Sequence, residues 1–212
     1  SELMVYELPT INAFIAGNDT ICSNGNDMAE VCVSFIGMSP FSFVYSINGV
    51  LQSPIMTDLN SYIIETKEGG TYSLVSYSDA NGFGIISGQG LVTVLNSPIA
   101  DFHAFPDTLT ILYTTVTLTD ESSPKDNLIS WQWDFGDNLG TSNDSNTIYT
   151  YMHEELSQIK LYEVSLIVTD DNSCSDTASR IITVTDDYWL WIPSSFTPDK
   201  DGLNDKLCIS YN

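Results

Sequence analysis

Basic residues are scarce in this chain of 212 residues. Lysine and arginine number 6 against 28 aspartates and glutamates, a formal charge of −22. A surface so acidic repels phosphate backbones and anionic lipid, which argues against nucleic-acid binding and against a polybasic membrane anchor. Long apolar runs are missing too. No 18 apolar residues follow one another, so no transmembrane helix and no direct membrane insertion are expected. The opening Ser1, Glu2, Leu3 and Met4 do not have the form of a signal peptide, so an exported chain of this sequence is expected to be a mature or excised piece. The four cysteines (Cys22, Cys32, Cys174, Cys208) form no CxxC pair, and the two histidines stand alone, which argues against a structural zinc site.

Catalytic motifs are equally lacking. GxSxG, the Walker loop and HExxH do not occur. A nucleophile needs an adjacent base, and neither His103 nor His153 has a serine or cysteine at motif spacing. His103 lies in an alternating segment and is expected at the surface. Ser122 and Lys125 match SxxK, but Pro124 places them in a loop rather than on the helix that motif needs. Carboxylate pairs are abundant by composition alone and argue nothing. No catalytic residue is assigned, and the chain is read as non-enzymatic.

What the sequence does have is apolar material, at 42% hydrophobic and 11% aromatic, enough to fill ordinary cores. Its rhythm is that of strands. Residues 29–35, 41–47 and 71–77 alternate with period two. Asn48 and Gly49 between two apolar runs signal a type I′ hairpin, because both central positions need φ > 0. A turn is expected at 79–82, and Gly84, Gly88 and Gly90 mark a bend or bulge before a strand at 91–95. Asn96, Ser97 and Pro98 read as a boundary. Beyond it, strands are expected at 99–102, 110–118, 128–135, 147–151, 161–169 and 177–185, while 152–160 reads as a loop with at most one helical turn. Segments of 5–9 residues separated by turn signals make an all-β chain of tandem β-sandwiches. The boundaries are 1–8 (the end of a preceding module), 9–96, 97–186 and 187–212 (the start of a further module). Pro9 and Pro98 would stiffen the junctions.

Several clusters suggest sites. Asp199, Asp201, the Leu203 carbonyl, Asn204 and Asp205, with Gly202 allowing the turn, have the shape of a calcium loop without the terminal bidentate glutamate of an EF-hand. The competing reading is an aspartate-rich turn capped by its own carboxylates. Asp134 and Asp137 flank Gly136, where turn carboxylates accepting backbone N–H bonds explain them better than a cation does. Cys22 and Cys32 read as a disulfide across neighbouring strands or as two free buried thiols, with the bridge favoured if the chain is secreted. Cys174 is left to pair outside this chain or with Cys208. Tyr188, Trp189, Leu190 and Trp191 read as a packing strand, with a sugar-stacking surface as the alternative.

The segment Trp131, Trp133, Asp134, Phe135, Gly136 and Asp137, with Ser142, Tyr151 and the strand from Tyr162 to Val168, resembles the PKD domain, an immunoglobulin-like sandwich of extracellular proteins. Two departures stand out: Asn138 replaces a usual glycine, and Lys160 replaces the glycine common before the tyrosine, after an inserted stretch at 152–156. Pro193, Phe196, Thr197, Pro198, Asp201, Gly202, Asn204 and Asp205 resemble the opening of the gliding-motility-associated C-terminal domain, the type B sorting domain of type IX secretion in Bacteroidota. Residues 9–95 resemble repeat modules of large mobile adhesins of the SprB type. Together these resemblances imply a cell-surface, outer-membrane-associated adhesin with a part in gliding. Its partners would be the type IX secretion and surface-attachment machinery and an external surface or polysaccharide. Thr20, Thr108 and Thr177, each between an aspartate and an apolar residue, resemble the O-glycosylation acceptor of Bacteroidota secreted proteins. Calcium is the one cofactor expected.

Overall fold

The computed structural model describes residues 11–152 and 159–186. The chain divides into two compact units. One comprises the chain up to Ser97 together with Asp170–Ser175, the other Pro98–Thr169 and the chain from Asp176.

The first unit is built from β1 (Asn12–Cys22), β2 (Ala29–Ile36), β3 (Phe41–Ile47), β4 (Val50–Leu51), β5 (Ile55–Thr57), β6 (Ser61–Thr66), β7 (Gly70–Asp79), β8 (Gly82–Phe83) and β9 (Ile85–Leu95). Seven of them hydrogen-bond in the order β4-β3-β7-β9-β1-β2-β6, with β5 paired to β3 and β8 to β7. β1 serves both halves of this sandwich. Its residues Asn12 to Ala16 pair antiparallel with β2, and the whole strand pairs in parallel with β9. Strict alternation on β2 turns Ala29, Val31, Val33 and Phe35 inward. There Phe35 meets Phe41 and Phe43 of β3 and Tyr77 of β7 at ring distances of 5.2, 5.2 and 5.5 Å, so the two halves close on an aromatic core. Asn48 (φ 50°) and Gly49 (φ 82°) form the β3–β4 hairpin, as the turn chemistry requires. Gly88 (φ 85°) lies where a Cβ would sit 2.2 Å from the Ile15 carbonyl oxygen, so β9 can run beside β1 only with glycine there.

The second unit is built from β10 (Phe102–Phe105), β11 (Thr108–Thr110), β12 (Thr115–Asp120), a 3-10 turn (Lys125–Asn127), β13 (Leu128–Asp134), β14 (Thr141–Ser142), β15 (Asn146–Thr150), β16 (Lys160–Asp170) and β17 (Ser175–Thr185). Two sheets result, β10-β12-β15 and β11-β17-β16-β13-β14. Phe102, Val116 and Leu118 from one sheet and Trp133, Val164, Leu166 and Ile182 from the other fill the core between them. The single strand expected at 110–118 is two. Thr110 and Tyr113 exchange backbone hydrogen bonds at a turn, which lets the chain leave β17's sheet and enter β10's. Both units are immunoglobulin-like β-sandwiches, and the described chain is all-β apart from that one 3-10 turn.

The disulfide joins Cys22 to Cys174, not to Cys32. Register explains why. Cys32 stands opposite Ala16 on β1, six positions from Cys22, which at ~3.3 Å per residue is about 20 Å away. A disulfide needs Cα atoms closer than ~7 Å, and those of Cys22 and Cys174 are 5.6 Å apart. Cys32 points outward with a free thiol. Cys174 is fully buried in the Asp170–Ser175 turn, where Asp170 Oδ1 accepts its N–H at 2.8 Å.

Candidate functional site

The most chemically dense part of the chain is the turn that ends β13. Alternation carries Trp133 and Phe135 inward, at 0% and 2% exposure, and leaves Trp131 half-buried. The Trp133 indole N–H donates to the Asp144 carbonyl at 2.8 Å, and its ring meets Phe102 edge-on at 5.1 Å. The chain then reverses through Gly136 (φ 77°), where a Cβ would approach within 2.5 Å of the Glu163 carbonyl oxygen. Asn138 also has positive φ, 62°. That conformation favours glycine, and asparagine is among the few other residues that tolerate it.

Both aspartates are occupied by this turn. Asp134 Oδ1 accepts the Gly136 N–H at 2.8 Å. Asp137 Oδ1 accepts the N–H groups of Leu139 and Gly140 at 2.9 and 3.1 Å, and its Oδ2 accepts the Tyr149 hydroxyl. Partial burial pushes the Asp137 carboxyl up, but the hydrogen bonds from Tyr149, Leu139 and Gly140 outweigh it and hold the group below the usual carboxylate range. Burial, then the bond to Asp137, pushes Tyr149 up to about 12. An aromatic ladder stiffens the site: Phe135 stacks on Tyr149 at 3.9 Å, Tyr149 meets Tyr151 edge-on at 5.0 Å, and Tyr151 stacks on Tyr162 at 4.2 Å. The Tyr151 hydroxyl donates to the Phe135 carbonyl at 2.9 Å, and burial raises its pKa strongly. Sequence reading had no place for Tyr149. Its one signal was an aromatic two residues before Tyr151, on a strand whose partner was unknown.

The other candidates are dispersed. Thr20, Thr108 and Thr177 lie on β1, β11 and β17, all exposed. His103 is exposed and, with Ala104, Asp107, Arg180, Ile181 and Ile182, borders an open cleft of about 450 Å³. Arg180 donates to Asp101 Oδ1 at 2.8 Å and lies over the Phe102 ring at 5.5 Å. Ser122 is fully buried, its hydroxyl donating to the Asp101 carbonyl. Among the described residues, no three His, Cys, Asp or Glu side chains converge as a metal site would require, and no helix is long and apolar enough to cross a membrane. The calcium loop at Asp199, Asp201, Leu203, Asn204 and Asp205, the motif from Pro193 to Asp205, Cys208, His153 and the aromatics at 188–191 lie outside the described residues.

Comparison with known proteins places the turn in a family. Residues 95–185 match the PKD domain. The chain is 30% identical over 111 residues to the pre-pro-metalloprotease PrtV of Vibrio cholerae, an alignment covering 52% of this chain and 11% of that protein. The chain thus spans about one-tenth of the length of that relative. Among solved structures, the PKD1 domain of Vibrio anguillarum Epp is 29% identical, covering 43% of this chain and 96% of that one at a TM-score of 0.34. The PKD1 domain of Vibrio cholerae PrtV is 30% identical, covering 42% and 96% at 0.34. PKD domains are typically extracellular and, like other immunoglobulin-like modules, typically non-catalytic. The reversing turn built on Trp133, Asp134, Phe135, Gly136 and Asp137 therefore sits in a recognised frame: residues 95–185 of this chain are a PKD domain.

Proposed function

We propose that this chain is a non-enzymatic spacer in a large cell-surface adhesin exported by the type IX secretion system, with a part in surface adhesion and gliding. One observation carries the non-enzymatic reading. Of the carboxylates that look most like chemistry, Asp134 accepts a backbone N–H at Oδ1, and both oxygens of Asp137 accept from backbone N–H groups and from Tyr149. A disulfide in the native fold supports export, because such bonds persist in oxidising compartments. The −22 charge favours solubility of such a chain. The sorting assignment rests on the sequence from Pro193 to Asp205, and the adhesin assignment on that motif together with the resemblance of residues 9–95 to adhesin repeat modules. The segment from Pro193 to Asp205 would engage the secretion and attachment machinery, and Asp199, Asp201, Leu203, Asn204 and Asp205 would hold calcium there. The exposed threonines Thr20, Thr108 and Thr177 are open to glycosylation.

A second reading draws on the likeness to part of a metalloprotease: a substrate-binding or spacer tail of a secreted peptidase or polysaccharide hydrolase. Fluorescent beads carrying antibody against this chain, tracked on live cells of the source organism, separate the two. Beads that bind and travel support the mobile adhesin. Antigen found in the medium, with no surface binding, overturns it in favour of the enzyme tail. In that case retention on insoluble glycan, lost in a Trp189→Ala/Trp191→Ala variant, identifies the tail as substrate-binding.

A further inference from the structure

The bond between Cys22 and Cys174 joins residues 152 apart in sequence. Cys22 is the last residue of β1, and Cys174 immediately precedes β17. A covalent shortcut therefore leaves the chain at the end of its first described strand and rejoins it at the start of its last. Every strand from β2 to β16 lies inside the closed loop. We propose that this bond makes the segment a tension bypass. Load applied along the chain runs up β1, across the bond and out along β17, while residues 23–173 are carried without being pulled.

The strands on the loaded path suit that role. β1 and β17 are 11 residues each and already extended. A strand rises ~3.3 Å per residue against a limit of ~3.6 Å, so peeling either strand from its sheet lengthens the path by only a few ångströms. The loop, fully stretched, would measure about 500 Å. Both loaded strands are also held by neighbours inside the loop. β1 is registered with β9 from Asn12 to Cys22, and β17 with β11 from Thr183 to Thr185. Cys174 is fully buried, which keeps its end of the bond from dissolved thiols, while Cys22 is half-buried. Sandwiches in series without such a bond lengthen as each unfolds under load. Here unfolding inside the loop gains the chain no length, so force does not drive it. The inference depends on the bond and the strand order alone, and it stands whether the chain serves an adhesin or an enzyme.

Single-molecule stretching of the full chain, held by handles at its two ends, is the test. The unreduced protein is compared with the double variant Cys22→Ala/Cys174→Ala. The variant is expected to release about 500 Å more length than the unreduced protein, in unfolding steps the latter lacks. Equal release from the two proteins overturns the proposal. If the double variant fails to fold, the unreduced protein decides alone: release on the order of 500 Å overturns the bypass, and release below about 100 Å supports it. A Cys32→Ala variant is expected to behave like the unreduced protein. Long release from that variant overturns the proposal, because it means Cys32 takes part in the bridge.

Discussion

In the first unit the opening strand, β1, pairs along its whole length with the closing strand, β9. In the second unit the corresponding parallel contact, β11 with β17, is three residues long. The first sandwich is thus sewn along a seam between residues about seventy positions apart. The second gathers its most specific contacts within a short stretch around Trp133 and Asp137, where one turn satisfies two carboxylates and seats two buried aromatic rings. Similar architecture rests on long-range registration in one unit and on local turn chemistry in the other.

This contrast is most sharply tested by a substitution at the second unit's centre. Trp133→Ala removes a fully buried indole, its hydrogen bond to Asp144 and its edge contact with Phe102. A loss of about 3–5 kcal/mol is expected. Urea unfolding should then show one transition lost or shifted to low denaturant, with the first unit's transition unmoved. The reverse perturbation is Gly88→Ala, which forces a Cβ to within 2.2 Å of the Ile15 carbonyl at φ 85°. It should weaken the first unit by about 1–3 kcal/mol and leave the second in place. A variant of either kind that shifts both transitions equally contradicts the division.

Smaller effects probe the turn itself. The Asp137 carboxyl is held low, so its contribution is present above the unfolded carboxylate value of about 3.9 and is lost as pH falls through the folded value. Tyr149 is raised to about 12, so its contribution is full below the unfolded value of about 10 and is lost as pH climbs from there through about 12. The second unit's urea midpoint should therefore fall at both ends of the pH range. Tyr149→Phe should flatten the alkaline fall and cost about 1–2 kcal/mol at neutral pH. Smallest of all, Asn138→Ala should cost about 1 kcal/mol, because alanine resists positive φ, whereas Asn138→Gly should be nearly neutral or stabilising. Equal midpoints for these two variants would remove the conformational explanation of that position.

Legibility in the sequence followed the same divide. Strands with clean alternation were placed closely, β3 at 41–47 among them, and the Asn48–Gly49 turn was readable because its chemistry is local. The tryptophan-aspartate turn was readable for the same reason. β1 was not foreseen. Gly17, Asn18 and Asp19 interrupt its apolar pattern, yet parallel pairing with β9 carries the strand straight through them. β6 was hidden likewise, its alternation being weak and its partner, β2, lying far back in the chain. The cysteine pairing failed on non-local grounds too. Cys22 and Cys32 are near in sequence and on adjacent strands, but the antiparallel register sets them far apart and leaves Cys22 beside a turn from the other end of the chain. Tyr149 was missed because its partner Asp137 lies in the turn after β13, a strand of the opposite sheet.

Peptide mapping of the unreduced protein, taken from its native host, tests the account most directly, because the covalent closure of the fold is one bond and the proposed export draws its structural support from the same bond. The account predicts a linked pair of peptides containing Cys22 and Cys174, with Cys32 recovered as a free thiol. A Cys22–Cys32 link would contradict the strand register. Recovery of Cys22 and Cys174 as free thiols would contradict both the closure and the oxidising compartment on which the surface assignment relies.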